Sequence, residues 1–187
     1  RALVCTAIVA LSMSVAAQSR PNIVVILSDD AGYGDFGFTD GQVVRTPSID
    51  RIADEGARLT QFYTTASVCS PSRAGFITGR YQQRFGHHSN LTGQAAAAGL
   101  GMAPEERTVA DHLRARGYTT GLIGKWHLGR APGLTPTERG FDEFHGLIGG
   151  SRSFFPVDEN DRVRRMQHTL VGADGVGSTE WVDERAF

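Results

Sequence analysis

Ile23-Val24-Val25-Ile26-Leu27 is an unbroken apolar run, β-branched in all but its last residue, and it leads straight into Ser28-Asp29-Asp30. A half-buried strand alternates apolar and polar side chains, whereas a run of this kind suits a strand covered on both faces, as in a parallel sheet. Parallel strands need crossover connections, so helices are expected between the strands. Thr46-Pro47 supplies an N-cap and a first helical turn, with Ile49, Ile52 and Ala53 at helical spacing and Gly56 as the stop. Leu59 to Tyr63 reads as a second strand and Pro71 to Ile77 as a short helix ended by Gly79. Thr108 caps a further helix that stops at Gly117, and Tyr118 to Ile123 reads as a third strand. The order strand, helix, strand, helix, helix, strand predicts an α/β sandwich with right-handed crossovers.

Two segments fall outside that pattern. Gln94 to Gly101 is rich in Ala and Gly and reads as a surface loop, with a helical turn open to Ala95 to Ala98. From Ser151 onward, Phe154-Phe155-Pro156 leads into acidic Asp158 to Asp161 and basic Arg162, Arg164 and Arg165. This reads as an exposed excursion, compatible with a hairpin, and no core strand is expected after it.

The N-terminus is set apart from the fold. Ala2 to Leu11 is an apolar run too short to span a bilayer, and Val15-Ala16-Ala17 precedes polar Gln18-Ser19. That is the h-region and small-residue cleavage site of a secretory signal peptide. Residues 1–17 are therefore expected to be a leader and 18–187 the mature chain, periplasmic or secreted. No later stretch is apolar for long enough to make a membrane span. Cys5 would leave with the leader, so Cys69 would remain alone and no intrachain disulfide could form. With 19 basic and 20 acidic side chains the net charge is -1, which leaves no basic footprint for nucleic acid. A 40% hydrophobic share likewise excludes a disordered chain.

Several clusters bear on chemistry. Gly32-Tyr33-Gly34-Asp35-Phe36-Gly37 matches the G-x-G-x-x-G pattern after a strand. Asp29 and Asp30 stand in the path of a pyrophosphate, however, and Phe38-Thr39-Asp40-Gly41 is a poor helix start, so dinucleotide binding is rejected. Adjacent carboxylates repel unless a cation joins them, and Asp29 and Asp30 would suit a hard divalent ion such as Ca²⁺ or Mg²⁺. A solvated turn fits the same residues. Cys69 lies just before the helix of Pro71, where amide groups and the helix dipole favour an anion, and Arg73 follows at i+4. Cys69 is thus a candidate nucleophile, or equally a buried structural cysteine. Strand alternation sends Lys125 and His127 to one side and Trp126 to the other, so a cation and an imidazole would share the strand's C-terminal end. An exposed Lys and a satisfied His are the alternative. His87-His88 lacks a third partner at metal-ligand spacing and reads as loop.

Taken together, Pro21 to Asp30, Cys69-Ser70-Pro71-Ser72-Arg73-Ala74-Gly75-Phe76-Ile77-Thr78-Gly79-Arg80 and Gly124-Lys125-Trp126-His127-Leu128-Gly129 closely resemble the type I sulfatases. The resemblance runs from about Pro21 to Gly150 and includes Arg139-Gly140-Phe141-Asp142-Glu143-Phe144-His145-Gly146. It implies an alkaline-phosphatase-like α/β fold with a mostly parallel central sheet. It also implies conversion of Cys69 to formylglycine by a formylglycine-generating enzyme, so that the aldehyde hydrate, and no thiolate, attacks sulfur. Asp29, Asp30 and the converted Cys69 would then contact Ca²⁺, Arg73 and Lys125 would hold hydrate and sulfate, and His127 would act as base. The substrate would be a sulfated small molecule or glycan. The family takes two further metal ligands, a second Lys and a second His from sequence beyond this region, and no match follows Gly150. The 187 residues are therefore expected to carry the N-terminal part of a sulfatase catalytic domain with part of its active site. A phosphate or phosphonate ester hydrolase on the same scaffold, or a non-catalytic binder of sulfated glycans, are the rival readings.

Overall fold

The structure is a computed structural model that describes residues 20–151 and the strands Met166–Val171 and Gly177–Val182. The leader expected over residues 1–17 and the Phe-Phe-Pro and acidic stretch after Ser151 lie outside the described residues. The chain divides into two compact units, residues 1–56 and 57–187.

In the first unit, α1 spans Pro47–Glu55 with Pro in its first turn and Gly56 at its C-cap, as the sequence predicts. Thr46 and Asp50 turn this helix start into an anchor for the glycine-rich segment. Thr46 Oγ1 accepts from Gly37 N at 2.8 Å, while Asp50 Oδ1 accepts from Phe38 N at 2.9 Å and from Thr46 Oγ1 at 2.8 Å. Tyr33–Asp35 and Gly37–Thr39 are single 3-10 turns. The rejected dinucleotide reading thus finds no helix at the position it needs. A side chain on Gly37 would collide with the Asp50 carboxylate, so this glycine serves close packing.

The expected strand at Ile23 to Leu27 does not form. Its side chains are exposed, Val24 at 83% and Ile26 at 74%. A strand exists through its ladder, and among the described residues of this unit no second strand offers one.

In the second unit the expected strand at Leu59 to Tyr63 is likewise absent. A turn at 60–61 interrupts it, and the exposed Tyr63 hydroxyl donates to Gln61 Oε1 at 2.7 Å. Three helical elements of the sequence reading do appear, with shifted ends. Helix α2 spans Cys69–Thr78 and closes on left-handed Gly79, φ 64°. Gly93–Ala97, expected as loop with an optional turn, is the short helix α3, started by Thr92 Oγ1 accepting from Ala95 N at 3.2 Å. Helix α4, Val109–Arg114, carries a capping box in which Thr108 Oγ1 accepts from Asp111 N at 3.1 Å and Asp111 Oδ2 accepts from Thr108 N at 2.8 Å. It ends at Ala115, before the predicted Gly117.

The third expected strand is β1, Gly121–Lys125, which pairs in parallel with β2, Glu143–Leu147. Beyond Gly150 the sequence is compatible with an exposed hairpin but leads to no expected core strand; β3, Met166–Val171, and β4, Gly177–Val182, do form a hairpin, and it continues the sheet antiparallel in the order β1-β2-β3-β4. Antiparallel neighbours need only a short turn, so a hairpin can extend the open edge of β2. Trp126, Met102, Leu128, Ala74, Ile77, Ala110 and Phe141 form the core behind β1. Trp126 meets Phe141 edge-to-face at 6.2 Å, and its Nε1 donates to the Leu134 carbonyl at 2.9 Å. Buried Arg139 caps this core with donations to the carbonyls of Met102, Ala103 and Glu106 at 3.3, 3.0 and 2.6 Å. Among the described residues no helix is long and apolar enough to cross a membrane.

Candidate active site

Cys69 is the first residue of α2, one step further into the helix than the sequence reading placed it, and its free thiol is half-buried. Val68 occupies the N-cap without an oxygen to offer the orphan amides. The acceptor arrives from another loop: Asn90 Oδ1 takes the Ser70 N–H at 2.9 Å. Pro71 removes one donor outright, and Ser72 N reaches the Val68 carbonyl at 3.3 Å. The turn that presents Cys69 is thereby fixed at its backbone.

Two bonds tie this turn to the end of β1. Arg73 Nη1 donates to the Lys125 carbonyl at 2.8 Å, and Ser70 Oγ donates to the His127 carbonyl at 2.7 Å. Residues 52 and 57 positions apart are joined within one turn of helix, which gathers Cys69, Arg73, Lys125 and His127 in one region of the second unit.

His127 departs from the strand geometry expected of it. β1 ends at Lys125, although pairing continues through Trp126 N to the Leu147 carbonyl and His127 N to the Ile148 carbonyl, both at 2.9 Å. At His127 the backbone turns left-handed, φ 60°, a conformation non-glycine residues hold only when their surroundings impose it. Alternation therefore stops short of His127, and its buried ring, 6% exposed, is set by other contacts. Nε2 lies 3.0 Å from the Leu91 carbonyl, which can only accept, so Nε2 carries the proton and Nδ1 is the basic nitrogen. Gly150 closes the other side. A β-carbon there would sit 2.6 Å from Cε1 and Nε2, so a larger residue would displace the ring.

Ser70 has a second buried neighbour. His87 Nε2 lies 2.7 Å from Ser70 Oγ, and His87 is 7% exposed. The single hydroxyl proton of Ser70 goes to the His127 carbonyl, so His87 must be the donor in its own bond to Ser70. The loop read at His87-His88 is a loop, but its first histidine is buried. Burial holds the His87 pKa below 6.5; a hydrogen bond to the Gly101 main chain opposes this, while the charges of His127 and His88 add to the lowering. The unfolded chain then binds the proton more readily than the folded one. Stability is complete above about pH 6.5 and falls as pH drops through that value. Denaturant unfolding between about pH 7.5 and 5.5 is expected to show this fall, and His87→Gln to make it shallower.

Asp29 and Asp30 belong to the first unit, where both are exposed at the turn after the apolar run. Asp30 is left-handed, φ 57°, which a short Asp tolerates better than most side chains. Adjacent exposed carboxylates are a hard-oxygen donor set, the chemistry that Ca²⁺ takes. Of the residues at the site, Asn90 and Gly150 carried no signal in the sequence, while Ser70 was legible only as part of the Cys69 motif and His87 only as loop. Their partners are distant in the chain, and no local spacing marks them.

The chain and its fold have known counterparts. The sulfatase family profile matches residues 21–162. Arylsulfatase A of Homo sapiens is 43% identical over 142 residues, which cover 75% of this chain and 28% of that protein. Arylsulfatase H of Canis lupus familiaris is 49% identical over 158 residues, covering 79% and 28%. The chain thus spans 28% of the length of these relatives. The crystal structure of Ps i-CgsB superposes with a TM-score of 0.72 at 32% identity, over 87% of this chain and 38% of that one. That protein has also been solved in complex with k-i-k-neocarrahexaose. The architecture is the alkaline-phosphatase-like α/β fold. With the profile covering most of its length, the chain belongs to the sulfatase family.

Proposed function

We propose that this chain serves the hydrolysis of sulfate esters in an exported enzyme, periplasmic or secreted, with Cys69 as the precursor of the nucleophile. The observation that carries this reading is the double tie between α2 and β1, which collects a half-buried Cys, two cations and an imidazole of defined tautomer. Conversion of Cys69 to formylglycine by a formylglycine-generating enzyme would supply a hydrated aldehyde as nucleophile, and Asp29, Asp30 and the converted Cys69 would hold a Ca²⁺ or Mg²⁺ ion that would supply positive charge.

The remaining work falls to this chain's own side chains. Arg73 offers a planar fork of donors and Lys125 a compact cation, and both stabilise negative charge on the sulfate oxygens as the S–O bond to the alcohol breaks. The Lys125 carbonyl holds Arg73 through Nη1 and so fixes the direction of the fork. His127, with Nε2–H committed to Leu91, accepts a proton at Nδ1 when sulfate is expelled.

The substrate is a sulfate ester of an aryl alcohol or of an oligosaccharide. The test is a comparison of kcat/KM for the sulfate, phosphate and phosphonate esters of one aryl alcohol, together with a sulfated oligosaccharide. A preference for sulfate of about 10²-fold or more is the expected result. Preference for phosphate or phosphonate would overturn the reading in favour of the phosphoester hydrolase. Binding of the sulfated glycan with no turnover of any ester would make the chain a lectin-like binder.

A further inference from the structure

We propose that His87 is a positioning residue: through the buried Ser70 hydroxyl it holds the His127 main chain in its left-handed conformation, and so sets where the His127 imidazole stands relative to the turn that presents Cys69. The inference rests on the reading of Cys69 and His127 as active-site residues.

The argument starts from the cost of the His127 backbone. A left-handed histidine is about 1 kcal/mol or more above its extended form and persists only if contacts on both sides over-determine it. The His127 amide is held by the Ile148 carbonyl at 2.9 Å. Its carbonyl is held by Ser70 Oγ at 2.7 Å. Ser70 is completely buried, so its hydroxyl has no water to turn to and its orientation is dictated by protein partners. A hydroxyl donates once. With that proton on the His127 carbonyl, the Ser70 oxygen is left to accept, and His87 Nε2, at 2.7 Å, is the group that faces it. Without a donor at position 87 the buried Ser70 oxygen loses its partner, and the hydroxyl that holds the His127 carbonyl is anchored on one side only.

The loop carrying His87 reaches the same assembly twice more. Asn90 Oδ1 caps Ser70 N, and the Leu91 carbonyl accepts from His127 Nε2. One short segment, 87–91, therefore touches both halves of the site, the start of α2 and the imidazole past β1. His87 acts at its centre, on a side chain that adjoins Cys69 in sequence and bonds His127 in space.

Two polar replacements separate positioning from mere packing. Gln at 87 reaches as far as Nε2 and can donate to Ser70, whereas Asn reaches only as far as Nδ1. Hydrogen exchange of the protein by NMR reads the backbone directly and needs no substrate. The His127 amide is expected to exchange about tenfold faster in His87→Asn, His87→Ala and Ser70→Ala, with the neighbouring Trp126 amide unchanged and His87→Gln close to wild type. In turnover, His87→Asn is expected to lower kcat about tenfold or more with KM little changed, His87→Gln to recover most of the rate, and His87→Ala with Ser70→Ala to cost no more than either alone. Equal behaviour of Gln and Asn, or losses that simply add, would overturn the proposal. Wild-type protein that hydrolyses no sulfate ester would overturn the functional reading instead, and the exchange measurement would still decide whether His87 holds His127.

Discussion

Replacing Cys69 by Ala is expected to lower sulfate-ester turnover by about 10⁴-fold or more, the scale on which covalent hydrolases lose rate with their nucleophile. The fold is expected to survive. Cys69 is half-buried, its side chain makes no part of the core, and the bonds that fix its turn run from Ser70 N and Ser70 Oγ. A thermal transition within a few degrees of wild type, beside lost turnover, is therefore the expected pattern. The same position distinguishes two chemistries. A thiol at a helix start invites a thiolate nucleophile that alkylates. The family's chemistry replaces the sulfur by oxygen and removes two hydrogens. Trypsin releases Leu59 to Arg73 as one peptide, since Arg58 precedes it. From protein co-expressed with a formylglycine-generating enzyme, this peptide is expected to show that mass change and to react with a hydrazide. An active preparation whose peptide is entirely thiol would return the thiolate mechanism to first place.

That contrast bears on what a sequence can disclose. Helices announced themselves through local chemistry. Thr46-Pro47, Thr108 and Gly79 each act within a few residues of themselves, and each stands where it was read. Strands are not local. Ile23 to Leu27 has strong β character, but without a paired neighbour among the described residues it forms no strand and its side chains stand in the open. For the complementary reason, the hairpin of β3 and β4 was legible only as an exposed excursion and not as part of the sheet. Its strands form because β2 offers them an edge, and nothing in their own residues said so.

The site divides along the same line. Cys69, Arg73, Lys125 and His127 lay in compact motifs, so their residue types could be read, and the structure brings them into one region through bonds from α2 to β1. What orients them was illegible. Asn90 acts on Ser70 across 20 residues, His87 across 17, and Ser70 on His127 across 57. His127 turns into the left-handed region and its ring lies against Gly150, so strand alternation gave the wrong rule for its side chain.

Removing the metal is the second large effect expected. A chelator, Asp29→Ala and Asp30→Asn should each suppress turnover by about 10²-fold or more, because the carboxylate pair left without its cation repels an anionic sulfate. Asn is chosen at 30 for a conformational reason. Asp30 sits at φ 57°, where Ala is strained and Asn is at ease, so Asp30→Asn removes the charge and keeps the turn. Calorimetric titration with Ca²⁺ supplies a readout apart from activity: binding to wild type, and little or none to either variant. Adding Ca²⁺ after chelation is expected to restore turnover in wild type alone. Full activity in both single variants, or Ca²⁺ binding unchanged by them, would reduce Asp29 and Asp30 to a solvated turn and move the cation's place to other oxygens.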